Sequence, residues 1–128
     1  MAKYFWRIGS PPPVLDRHSA TKHKIVEEYV RRYILRLMAQ ATIPALHLTL
    51  VDGFSGGGCY QTEDGGLTDG SPLLMMKAAN EARVLLNIDR NIPRQVKVDY
   101  SFIDVMPDTT AYLKHWLAAR MEEGGIAR

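Results

Sequence analysis

An apolar run, Leu46-His47-Leu48-Thr49-Leu50-Val51, stops at Asp52-Gly53-Phe54-Ser55-Gly56-Gly57-Gly58. Few folds accommodate that junction. A run so short, rich in leucine and bounded by glycine, reads as a buried strand rather than a helix. Glycines just past its end permit positive φ and let the backbone come close to whatever lies opposite. In an open parallel sheet the carboxyl ends of the strands face the ligand crevice, and a turn there offers free amides to a phosphate or carboxylate. Asp52, Gly53, Phe54, Ser55, Gly56, Gly57 and Gly58 are therefore candidate ligand contacts. The alternative is a flexible connection to the segment that follows. No Gly-Lys-Ser/Thr ending is present, which excludes a P-loop of the phosphate-transferring type.

The flanking patterns supply the rest of an α/β chain. From Ser19 to Gln40, Ile25, Val26, Tyr29, Val30, Tyr33, Ile34, Leu37 and Met38 recur at helical spacing, with Lys24, Glu27, Glu28, Arg31 and Arg32 on a solvated face. Residues 59–70, polar and rich in glycine, read as a mobile loop. Ser71-Pro72 is a helix start, the serine as cap and the proline at the first helical position. That helix runs to about Asn87 and is apolar almost all round, with Lys77, Asn80 and Glu81 as its wet side. Val96, Val98, Tyr100 and Phe102 alternate with Lys97, Asp99 and Ser101, the period of a strand. Asp108 is a candidate cap for a last helix carrying Tyr112, Leu113, Trp116, Leu117 and Met121, ended by Gly124-Gly125. Residues 1–17 form an irregular lead-in stiffened by Pro11-Pro12-Pro13, and residues 18–128 form the folded part.

Strands separated by helices pair in parallel. Two strands alone leave faces and edges without cover. The expectation is a parallel sheet with flanking helices that represents the N-terminal half of a larger fold, or a chain that completes itself as a homo-oligomer. Net charge is +2, which permits contact with phosphates without requiring it. The single cysteine, Cys59, excludes an internal disulfide and fits a cytoplasmic setting. No run approaches the ~20 apolar residues of a membrane span, so no membrane association is expected.

Three further candidates carry chemistry. Asp104, near the end of the second strand, suits the ribose hydroxyls of a nucleotide, or else helps to start the next helix. Lys22 and His23, with Arg17 and His18, would neutralise an anion if the first helix begins over the glycine turn; otherwise they are a basic helix face. Cys59 could react, although no activating base is near it in sequence. His47 and His115 have no ligand-spaced partner, so no metal site is expected. No serine–histidine–acid set is defensible from spacing, and no catalytic residue is assigned.

Thr21-Lys22-His23-Lys24-Ile25-Val26 with Tyr29, the block from Val51 to Tyr60, and Gly70-Ser71-Pro72-Leu73 are similar, in order and rough spacing, to the opening of the three-Cys-motif partner (TcmP) family. Phe102-Ile103-Asp104 resembles its second strand. The resemblance implies a Rossmann-like fold of the S-adenosylmethionine-dependent methyltransferase type, with a three-Cys-motif protein as partner. By position, Asp52, Phe54, Ser55, Gly56 and Gly58 would hold the methionine part of the cofactor and Asp104 its ribose. The later strands, including the motif that contacts the methylated atom, would lie beyond these residues. The alternative function is a non-catalytic partner or nucleic-acid-binding module that keeps the fold, motivated by Arg17, Lys22, Lys24, Arg31, Arg32 and Arg36.

Overall fold

The computed structural model describes residues 4–122. Its elements run α1 (Arg17–Leu37), β1 (Ala45–Asp52), β2 (Cys59–Gln61), β3 (Leu67–Asp69), α2 (Ser71–Leu86), β4 (Gln95–Phe102) and α3 (Pro107–Glu122). β1 and β4 pair in parallel, from Ala45 opposite Gln95 to Asp52 opposite Phe102. The result is a mixed α/β fold with a small parallel sheet and, among the described residues, three helices. No helix among these residues is long and apolar enough to cross a membrane.

α1 starts two residues earlier than the apolar pattern indicates, because Asp16 is its cap: the carboxylate accepts from the Ser19 amide at 2.7 Å. Val30 and Ile34 of α1 and its C-cap residue Met38 meet Met75, Ala78, Ala79 and Ala82 of α2 and Val96 of β4 in the main core. The alanines let the two helices approach closely. At the other end of α1, Arg94 is buried and its guanidinium donates to the carbonyls of Met38 (2.9 Å), Gln40 (2.8 Å) and Ile43 (2.8 Å). A fork of donors thus ties the C-cap residue Met38 to the connection that leads into β1.

Several expectations are corrected. β1 is not buried on both faces. Leu46, Leu48 and Leu50 pack on the core, while Ala45, His47, Thr49 and Val51 are exposed. Gln95, Lys97, Asp99 and Ser101 of β4 continue that open face, where His47 pairs with Asp99 at 2.6 Å. Helices cover only one side of the sheet. The apolar stripe of α1 is likewise divided, because it spans more than half the helix circumference: Ile25, Tyr29, Tyr33 and Leu37 are exposed. Arg31 is not a solvated residue but bonds Glu28 and reaches Glu81 of α2 at 3.2 Å.

Residues 59–70 are not a loop. β2 and β3 form an antiparallel hairpin, Cys59 opposite Asp69, closed by Gly70 N–H donating to the Gly58 carbonyl at 3.0 Å. Gly65, at φ +89°, takes the left-handed position of its turn. Ser71 is not the cap of α2; Gly70 is, without a side-chain bond, and Ser71 occupies the first turn. Asp108 also sits inside the first turn of its helix, after Pro107. The Met121 side chain and the Gly124-Gly125 stop lie outside the described residues.

Candidate functional site

The glycine turn leaves β1 where β4 also ends. The ladder continues past both strands: Ile103 N–H donates to the Asp52 carbonyl at 2.9 Å and Ser55 N–H to the Ile103 carbonyl at 3.1 Å. The turn is thus at the carboxyl end of the sheet, as the sequence suggests. Its concave side, however, is filled by the protein's own side chains. The indole of Trp6 lies against Gly56 and Gly57, and its Nε1 donates to the Cys59 carbonyl at 2.8 Å. A Cβ on Gly57 would come within 2.4 Å of that ring, and one on Gly58 within 2.6 Å of Leu113. Tyr60 and Trp116 close the rest. Gly56 and Gly58, at φ +65° and +83°, are buried in this corner.

The glycines are therefore required by packing rather than by an open cradle of amides. Ser55 is also buried, with its amide engaged by Ile103. The lead-in, irregular in backbone, supplies the tryptophan that seals the turn. It is fastened by a bridge between Val14 and Gln61.

The open space lies one step earlier in the chain. A cleft of about 590 Å³ is lined by Asp52, Gly53 and Phe54 from the end of β1, Lys22 and His23 from α1, and Ser71 and Met75 from α2, with Tyr4 and Tyr60 at its side. The structure thus brings Lys22 and His23 to Asp52, which sequence reasoning made conditional on where α1 begins. Arg17 and His18 do not join them. Gly53 has nothing within 4 Å of an added Cβ, so backbone is accessible there.

Asp52 organises the cleft. Its Oδ1 accepts from the Phe54 amide at 3.0 Å, and its Oδ2 from the Ser71 hydroxyl at 2.6 Å. The first bond is an Asx turn, which holds Phe54 outward. The Phe54 ring is 92% exposed at the rim. Lys22 is exposed and forms no ion pair among the described residues. The Nδ1 atom of His23 is buried without a hydrogen-bond partner, and its ring lies 5.4 Å from that of Tyr60. Desolvation lowers the His23 pKa, and the Asp52 charge opposes that in part. The imidazole is thus held toward its neutral form. Burial, and then Tyr4, Asp52 and Asp104, push the Tyr60 phenol up, so it remains protonated.

Asp104 is not in the cleft lining. Its Oδ1 accepts from the Met106 amide at 3.0 Å, so it helps the chain turn into α3. Cys59 is 1% exposed, and burial, with the nearby Asp69 charge, pushes its thiol up to about 11. It is an inert core side chain rather than a nucleophile. His47 and His115 are exposed on separate elements, and no group of three potential metal ligands occurs among the described residues. The contribution of Ser71 went unseen because a serine before proline reads first as a helix cap.

Comparison of the chain with models of known families, with curated proteins and with solved structures found no match.

Proposed function

We propose that this cleft is the donor-cofactor site of an S-adenosylmethionine-dependent methyltransferase-like protein with a Rossmann-like fold, as the resemblance to the three-Cys-motif partner family implies. The observation that carries the reading is the convergence of three ligand chemistries on one cleft: the Asp52 carboxylate, the unpaired Lys22 ammonium and the exposed Phe54 ring. A ligand with an α-amino acid end and an aromatic base complements all three. Its ammonium is received by Asp52, its carboxylate by Lys22, and a planar ring rests on Phe54.

The contact set differs from the one carried over by motif. Asp52, Gly53, Phe54, Lys22, His23 and Ser71 hold the ligand, whereas Ser55 and Gly56–Gly58 build the wall behind Trp6 and Asp104 supports α3. Ser71 fixes the carboxylate from behind, so the free lone pairs of Asp52 are oriented before the ligand arrives. Methyl transfer from a sulfonium depends mainly on positioning the acceptor. These residues position the donor, and the acceptor and any three-Cys-motif partner are left to other surfaces.

Calorimetric titration with S-adenosylmethionine and S-adenosylhomocysteine tests the reading. Both are expected to bind. Asp52→Asn loses a charge-assisted contact and is expected to weaken them about tenfold or more. Asp104→Ala is expected to leave affinity unchanged while lowering thermal stability. Absence of heat from either ligand overturns the proposal.

A further inference from the structure

α1 concentrates the positive charge of the chain on one element. It holds Arg17, Lys22, Lys24, Arg31, Arg32 and Arg36 against Glu27 and Glu28, a formal +4. The whole chain carries +2, so the remaining residues together carry −2. The side of α1 turned away from the core is not a uniform solvated face. It bears Ile25, 62% exposed, and Tyr29, 66% exposed, with Tyr33 one turn on. The rings of Tyr29 and Tyr33 lie nearly parallel, 11° apart with centroids at 5.9 Å. Lys24, Arg32 and Arg36 border them along one broad, shallow depression.

The charges on this face are unequally engaged. Glu28 is the single acid bordering it, and it is already held by Arg31 and by Arg32, the latter at 2.7 Å. Lys24 and Arg36 form no ion pair among the described residues. A helix partner with an aliphatic stripe would match Ile25 but would have to desolvate the cations beside the rings without pairing them. A ligand that offers flat π-faces and regularly spaced negative charges satisfies both features at once. Base stacking on aromatic side chains, with cations following the backbone, is how single strands are held without sequence preference.

We infer that the outward face of α1 binds single-stranded nucleic acid, with bases stacking on Tyr29 and Tyr33 and the phosphates following Lys24, Arg32 and Arg36. The face is separate from the cleft described above, whose α1 residues are Ser19, Lys22, His23 and Val26. Its occupation does not depend on the cofactor reading. Duplexes keep their base faces stacked internally and lack what the tyrosines need.

Filter binding of labelled oligouridylate and oligothymidylate of about 15 nucleotides tests this at salt from about 50 to about 200 mM. Binding is expected to fall with a logarithmic salt slope near −2, for about three phosphate contacts on a single strand. Tyr29→Ala and Tyr33→Ala are each expected to weaken it about fivefold or more, and Arg36→Gln to lower the slope by about 0.7. These side chains are exposed, so thermal melting should be unchanged in all three variants, and Lys97→Gln on the open sheet face should bind like the parent. No retention of either oligonucleotide at the lowest salt overturns the inference. So does equal binding by the double tyrosine variant, or tighter binding of a duplex of the same length. Tyrosine-dependent binding of an acidic amphipathic peptide or of anionic lipid vesicles, without oligonucleotide binding, assigns the face to that partner and overturns it as well.

Discussion

Trp6 and Gly57 exclude any side chain from each other's space: a Cβ at position 57 would stand 2.4 Å from Cγ and Cδ1 of the indole. The ring is 6% exposed and anchored through its nitrogen to the Cys59 carbonyl. Gly57→Ala is therefore expected to destabilise the fold by about 1–3 kcal/mol through overpacking. Gly53→Ala, where an added Cβ meets nothing within 4 Å, is expected to change stability by less than about 0.5 kcal/mol. Trp6→Ala is expected to cost about 3–5 kcal/mol, and Gly57→Ala to cost less in that background than alone. Denaturant melts of the four variants check the set, and a Gly57→Ala protein as stable as its parent contradicts the packing account.

The guanidinium of Arg94 forms no ion pair among the described residues and is compensated by carbonyls alone, those of Met38, Gln40 and Ile43. Asn87 holds the Arg94 backbone, accepting from its amide at 2.6 Å and donating to its carbonyl at 3.0 Å. Arg94→Met is expected to cost about 3 kcal/mol, because three carbonyls, that of Met38 buried and those of Gln40 and Ile43 partly so, lose their donor together. Arg94→Lys recovers only part of this, since an ammonium lacks the planar fork that spans them. Urea denaturation resolves the two.

Stability is expected to fall on mild acidification because of His23. Burial lowers its pKa in the folded protein below 6.5, more than the Asp52 charge raises it. The unfolded chain therefore takes up this proton first. The contribution is complete above pH 6.5 and is lost as pH falls from there toward the folded value. His23→Gln is expected to flatten the change in urea midpoint between about pH 7.5 and about pH 5.5. An unaltered slope in the variant removes His23 as the cause.

Self-association is expected at micromolar concentration. β1 and β4 pair only with each other, so each has an outer edge without a strand partner among the described residues. Their open face carries Val51, 62% exposed, beside the His47–Asp99 pair. Such edges recruit further strands unless they are protected. Sedimentation velocity is expected to show a dimer or larger species, and Val51→Lys to shift it toward the monomer. A well-folded monomer at all concentrations speaks against this.

Element order was legible because it rests on local periodicity. The alternation from Val96 to Phe102 gave β4, and Ser71-Pro72 placed the start of α2 within one residue. The one-sided burial of β1 was present in the sequence as His47 and Thr49 at alternate positions, but three leucines outweighed them. The hairpin had a signal too, Asp64-Gly65 between Cys59-Tyr60-Gln61 and Leu67-Thr68-Asp69, hidden by the high glycine content around it. The seal over the glycine turn could not be read. It joins residues about fifty positions apart, and no local pattern says which aromatic a glycine must accommodate. The cleft was half legible: Asp52 and Phe54 follow from the strand end, whereas Lys22, His23 and Ser71 arrive only once α1 and α2 are placed.

Trp6 and Trp116 are the only tryptophans in the chain, and both pack around the same glycine turn. Intrinsic indole emission is accordingly a local gauge of that corner, while far-ultraviolet ellipticity is dominated by the helices. During a melt the two optical signals coincide if corner and helical core unfold as one unit; if the corner opens first, emission changes ahead of ellipticity. An N-terminal tag or trimming that disturbs Trp6 therefore alters the probe together with the packing of Tyr60, which lines the cleft.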